Sequence, residues 1–280
     1  MEKVTAAVIT LCGLLLAAGC ASPARITAPV SAAAVGELRP GLLKGYLQPG
    51  ELPDSLALLP APPAAGSAAQ AADEAAYHEL HELLGTARGA LAVADADLSP
   101  RATGVFACAL GVPISESATP NLNMLLRRTL TDAALATYKA KTHYQRTRPF
   151  VAFKAPSCTP ADEAFLVNDG SYPSGHTAIG WAWALLLTQL APDHADAILQ
   201  RGRAFGQSRA ICGAHWASDV VAGRTIGAAT VARLQEDPVF RAQAEAARTE
   251  VAHERSVHAT PAGDCTAEAT AVASSSSLAP

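Results

Sequence analysis

The sequence predicts an all-α fold, a single helical-bundle domain, from three observations. Apolar residues recur at three- and four-residue spacing in several long segments, the helical period. Aromatic residues make up 5% of the 280, too few for a typical β-sandwich or barrel. Charged residues are 16% and hydrophobic residues 50% of an alanine-rich chain, which suits packed helices. In chain order, residues 21–40 read as a linker. Prolines 60, 62 and 63 hold the following stretch extended, because each disfavours helix at the residue before it. The first helix runs from Ala68 to Leu84, with Tyr77, Leu80, Leu83 and Leu84 on its apolar face. A second spans about Asn121 to His143, with Leu125, Leu126, Leu130, Ala133, Ala134 and Tyr138 as its buried stripe. A third starts at Ser174 and continues through Leu190. Its middle is apolar on every face, and it ends well short of the roughly 20 residues a membrane span needs, so it belongs in a core. Ala195–Arg209, Trp216–Arg233 and the polar segment from Asp237-Pro238 to Glu254 complete the bundle. Residues 41–255 therefore form the expected domain, and residues 256–280, poor in large apolar side chains, read as a disordered tail.

The N-terminus reads as a signal sequence over residues 1–20. Lys3 supplies the positive charge, and the apolar run from Val4 to Ala18 is too short to be a stable membrane span. Ala17-Ala18-Gly19-Cys20 resembles a lipobox, with Leu16 one position earlier than the usual leucine; lipidation would anchor the chain at Cys20. Ordinary cleavage after Ala21 or Ala24 is the competing route. Both routes lead to a periplasmic or secreted protein, or to an outer-membrane lipoprotein, with no transmembrane segment after the signal. Of six cysteines, Cys12 and Cys20 fall in the signal, leaving Cys108, Cys158, Cys212 and Cys265. No Cys-x-x-Cys or local Cys/His cluster marks a zinc site, and the four cysteines allow three disulfide pairings or stay as buried thiols. The formal net charge of −4 gives no bulk attraction for nucleic acid. Affinity for an anionic substrate must come from a local cluster of cations.

Three short stretches supply such a cluster: Lys141 to Pro149, Gly170 to Thr177, and Ser208 to Asp219. Singly, each has an ordinary structural reading. Lys141 and Arg148 could be solvated charges at a helix end. A histidine such as His176 near a helix N-terminus is unfavourable when protonated, because the dipole is positive there. His215 and Asp219, four residues apart, share a helical face in many purely structural settings. Together they describe an anion site with a nucleophile. Ser174, Gly175 and His176 open a helix whose free N–H groups receive phosphate oxygens, and Gly175 permits close backbone approach. Lys141, Arg148 and Arg209 bring three cations, two of them guanidinium forks suited to phosphoryl oxygens. Two histidines then remain for a reaction that needs a nucleophile and a proton donor.

The spacings Lys-x6-Arg-Pro, Pro-Ser-Gly-His and Ser-Arg-x5-His-x3-Asp are all met, at Lys141–Pro149, Pro173–His176 and Ser208–Asp219. They resemble the signature of the phosphatidic acid phosphatase type 2 and vanadium haloperoxidase superfamily. Gly170 to Thr177 with Gly180-Trp181-Ala182, and Tyr46 to Pro53, are similar to the bacterial class A non-specific acid phosphatases. The resemblance covers about residues 45–250. It implies a helical bundle of the acid phosphatase/vanadium haloperoxidase type and hydrolysis of phosphomonoesters, with phosphotransfer open alongside. It further implies His215 as nucleophile forming a phosphohistidine, Asp219 fixing its tautomer, and His176 as general acid and then base. Lys141, Arg148, Ser174, Gly175 and Arg209 would hold the phosphate oxygens. No cofactor and no metal are implied, vanadate would inhibit, and the partners are small-molecule phosphoesters, with a homo-oligomer compatible. Two alternatives keep the same residues: a periplasmic nucleotide diphosphohydrolase similar to the apyrases, and a vanadate-dependent haloperoxidase. Membrane lipid phosphatases of the superfamily carry several transmembrane helices that this sequence lacks after its signal.

Overall fold

A computed structural model describes residues 26–275 and 278; the signal sequence with its lipidation candidate Cys20 lies outside the described residues. The chain builds helices with one two-stranded antiparallel ribbon, β1 (Glu37–Arg39) and β2 (Leu42–Leu43). The principal helices are α1 (Ala68–His81), α2 (Ala87–Ala94), α3 (Pro120–Ala136), α4 (Tyr138–Tyr144), α5 (Gly175–Leu190), α6 (Ala195–Ile211), α7 (Ala217–Leu234), α8 (Pro238–Ser256) and α9 (Cys265–Ala273). Shorter turns of helix link them. None of the described helices is long and apolar enough to cross a membrane.

The all-apolar helix expected at Ser174–Leu190 is α5, and it lies at the centre, packed by α3, α6 and α7. Trp183 is fully buried with its ring edge-on to Phe106, and its indole N–H donates to the Leu126 carbonyl at 2.8 Å. Small residues set how closely the central helices approach. A Cβ on Gly227 of α7 would lie 2.5 Å from the Ala178 carbonyl oxygen of α5, and one on Gly223 would lie 2.6 Å from that of Ser174. Both neighbours are backbone, so α7 can sit at this depth against α5 only with glycine at these positions. Elsewhere the ends are held by charge. Glu250 of α8 accepts from the backbone N–H groups of Asn121 and Leu122 at 2.9 and 3.0 Å, a carboxylate at the positive end of α3.

Three sequence expectations are corrected. The helix read over 121–143 breaks at Thr137, because the buried Ser55 intrudes. Its hydroxyl accepts from Ala140 N–H at 3.0 Å and donates to the Thr137 carbonyl, displacing the normal ladder. The linker over 21–40 carries, in its described part, a helical turn (Ala32–Val35) and strand β1 of the ribbon, whose turn uses Gly41 at φ +83°. The disordered tail is replaced by α9. Asp264 caps it through Ala267 N–H, the disulfide Cys108–Cys265 anchors its first residue, and Ser275 accepts from the buried Arg88 guanidinium. The remaining pair is Cys158–Cys212.

Gly227→Ala tests the α5–α7 packing. Helix propensity alone favours alanine by about 1 kcal/mol. Overpacking against a carbonyl that cannot yield outweighs that gain, so stability falls by about 1–3 kcal/mol in urea denaturation.

Candidate functional site

The sequence stretches singled out above meet at one end of the bundle. The break at Thr137 redirects the chain into α4, whose Lys141 is buried with its ammonium against the Gly170 carbonyl at 2.5 Å and Asp169 Oδ2 at 3.3 Å. Arg148 follows and is held from several sides. Its Nε donates to the carbonyls of Leu166 and Asp169, Nη1 to that of Ala214, and Nη2 to Asp169 Oδ2, each at 2.9 Å. Ser174 caps α5, its Oγ accepting from Thr177 N–H at 3.2 Å. The next residue, Gly175, is half-buried. A Cβ there would stand 3.9 Å from Lys141 Cε and Thr137 Oγ1, filling the floor of the cleft rather than clashing.

His215 lies in the turn between α6 and α7, made by Gly213 at φ +68°. It is buried, with Nδ1 3.4 Å from Asp219 Oδ2 and Nε2 3.1 Å from Arg148 Nη1. A carboxylate accepts and a guanidinium donates. The proton therefore sits on Nδ1, and Nε2 keeps its lone pair. His176 on the first turn of α5 has Nε2 3.1 Å from the Ala96 carbonyl, which requires a proton on that nitrogen and leaves Nδ1 for exchange. Arg209 is 1% exposed, and its Nε and Nη1 donors have no hydrogen-bond partner among the described residues. An unpartnered buried guanidinium is costly, and an anionic oxygen is the group that would satisfy it.

The electrostatics follow from burial among like charges. Burial, then the charges of Arg148, Lys141 and Arg209, hold the His215 imidazole well below its ordinary range. Burial and Arg209 do the same to His176. Lys141 is lowered to about 8 by burial and by Arg148. Burial pushes the Asp219 carboxyl up, against the opposing charge of Arg146.

All eight residues expected at the site are thus found in this region, and the structure adds others. Arg146 was not singled out in the sequence. Its Nη1 donates to Asp219 Oδ1 at 2.6 Å and to Ser218 Oγ at 2.7 Å, and its Nη2 to Asp73 Oδ2 at 2.7 Å. Asp73 in turn accepts from Ser218 N–H at 2.8 Å. Asp169 is the second addition, the counter-ion shared by Lys141 and Arg148. Arg146 is separated from Arg148 by one residue, and only the rule that buried cations need anions could have drawn attention to Arg146 or Asp169. No group of three or more His, Cys, Asp or Glu side chains able to hold a metal occurs among the described residues.

Comparison with known proteins identifies the family. A profile of the PAP2 superfamily matches residues 122–238, from α3 to the start of α8. The non-specific acid phosphatase of Providencia stuartii is 46% identical over 211 residues, which span 74% of this chain and 84% of that protein. The acid phosphatase of Zymomonas mobilis is 44% identical over 74% of this chain and 79% of its own length. The non-specific acid phosphatase of Salmonella typhimurium is 42% identical, over 74% and 83%. At such identity over most of both chains, this protein belongs to the PAP2 superfamily, among its non-specific acid phosphatases.

Proposed function

We propose that this chain is a secreted, broad-range phosphomonoesterase working through a phosphohistidine on His215, without a metal. The observation that carries this reading is the buried Arg209 guanidinium with unpartnered donors, set with Lys141 and Arg148 around a histidine whose Nε2 holds a lone pair. In the first step Nε2 attacks phosphorus in line. The P–N bond forms as the ester P–O bond breaks, and His176 gives a proton to the leaving alkoxide; the bound phosphate dianion favours that proton by offsetting the Arg209 charge that, with burial, depresses the free imidazole. In the second, His176 takes a proton from water, which attacks phosphorus and breaks the P–N bond to release inorganic phosphate. Lys141, Arg148, Arg209, the Ser174 hydroxyl and the Gly175 N–H hold the non-bridging oxygens through both transition states. Two disulfides suit an oxidising compartment, in keeping with secretion.

Asp219 accepts from His215 Nδ1 and keeps that proton off Nε2, while Arg146 fixes the carboxylate that does so. The depressed imidazole of His215 matters for acid chemistry. A group held below its ordinary value near 6.5 remains unprotonated, and able to attack, further into the acid range.

Quenching the enzyme in alkaline denaturant during turnover of a radiolabelled phosphoester should trap phosphate on His215 that is stable in base and released by acid. His215→Ala should lose both label and turnover, and label that survives in this variant overturns the assignment. The pH profile supplies a second test. Removing a cation beside His215 lets its pKa rise, so in Lys141→Met the acid limb of the residual kcat/KM should move to higher pH. Using one substrate for both enzymes cancels the substrate's own ionisation. Arg146→Gln should lower kcat by about a hundredfold through misplacement of the Asp219–His215 pair, with KM little changed and Arg146→Lys recovering part of the loss.

A further inference from the structure

The phosphate site is the floor of a cleft of about 600 Å³, in the size range of small-molecule sites. Lys141, Arg148, Gly175, His176 and His215 line its base. Its walls differ sharply in character from the base. Leu38 from the β1–β2 ribbon, Leu135 from α3, Tyr138 from α4 and Phe165 from the turn of helix at Glu163–Leu166 all face it. These side chains are 52%, 38%, 40% and 59% exposed, so four large hydrophobic groups stand open to water on one surface. Scattered single exposures need no explanation, but a cluster continuous with a reaction centre does.

The serine and threonine hydroxyls on the walls are already committed, which leaves the Tyr138 hydroxyl and the Arg39 guanidinium as the wall's side-chain polar groups without a hydrogen-bond partner among the described residues. Thr131 Oγ1 donates to the Leu43 carbonyl at 2.7 Å, and Thr137 Oγ1 to that of Ala134 at 2.6 Å. Ser99 Oγ donates to Asp97 Oδ2 at 3.0 Å. A leaving group rich in hydroxyls, such as glycerol or a sugar, therefore finds few partners here and would desolvate its own hydroxyls at a cost. A flat aromatic ring loses nothing comparable, and it gains ring contacts with Tyr138 and Phe165.

We infer that these walls form a leaving-group subsite for aryl phosphomonoesters, with Tyr138 and Phe165 as its specificity-determining residues. The ester oxygen sits at the base beside His176, and the aromatic ring projects outward between α4 and the Glu163–Leu166 turn. The ribbon, which the sequence presents as part of a linker and the start of the domain, supplies the third wall. This subsite rests on the phosphomonoesterase reading for its biological meaning, but its occupancy can be measured without turnover.

Calorimetric titration of the full chain with phenylphosphonate and methylphosphonate compares a ring with a methyl on the same anion. Phenylphosphonate should bind about tenfold or more tightly in the wild type, the effect of burying much of a ring. Phe165→Ala and Tyr138→Ala should each reduce that preference, and the double variant should abolish it. Val93→Ala, which removes an exposed apolar side chain outside the cleft, should leave it intact. Equal affinity for the two phosphonates in the wild type, or a preference that survives the double variant, overturns the subsite. A retained phenyl preference with no hydrolysis of any phosphomonoester would instead uphold the subsite and reject the hydrolytic reading. In turnover, the ratio of kcat/KM for phenyl phosphate over glycerol 2-phosphate should fall in the variants in parallel with the binding preference.

Discussion

The site is organised by a single buried carboxylate. Asp219 has no exposed surface, and each of its acceptors is engaged. Oδ2 receives the Trp216 backbone N–H at 2.9 Å, which starts α7, and lies 3.4 Å from the His215 ring. Oδ1 receives Arg146 from the stretch after α4. Its backbone carbonyl accepts from Ser174 N–H at 3.0 Å, fastening the turn that opens α5. One residue thus joins the three stretches that were far apart in sequence. Removing it would leave Arg146 buried with only part of its charge balanced, the costly way to break a buried network.

Around that residue the protein accepts an unfavourable arrangement. Lys141, Arg148 and Arg209 are all buried close together, and the charge of Arg148 works against both of the others. Asp169 offsets two of these cations, while Arg209 has no acidic partner in hydrogen-bond contact among the described residues. Such a group of charges can persist only because the surrounding helices fix it. The glycine contacts of α7 on α5, and the central position of α5 itself, supply that rigidity. Local strain of this kind, held by a well-packed frame, is what pre-organised anion sites share.

Much of this was legible in the sequence, and the reasons it was legible are physical. The helix periods at Ala68–Leu84, Ser174–Leu190 and the three later segments arise from one-sided or complete burial, which leaves a local trace. The spacings around Lys141, Ser174 and His215 are likewise local, because each stretch acts as a rigid turn or helix end. What stayed hidden depends on distant partners. The break at Thr137 is caused by Ser55, 82 positions away. Arg146 gains its meaning from Asp73 and Asp219, both 73 positions off. The helix at Cys265–Ala273 is too short, and too poor in large apolar side chains, to announce itself, and a bond to Cys108 anchors its first residue.

The two disulfides also have a topological consequence. Cys108–Cys265 closes a covalent ring over 157 positions that contains every residue assigned to the phosphate site. Cys158–Cys212 closes a smaller ring within it, over 54 positions, enclosing Asp169, His176 and Arg209. A single backbone scission inside either ring leaves the severed ends tethered. A cut at the exposed Phe165 or Val167, beside the cleft and the most open apolar side chains of the inner ring, would release no fragment. Both rings suit an oxidising compartment, and their nesting keeps the two sides of a single cut in one covalent molecule.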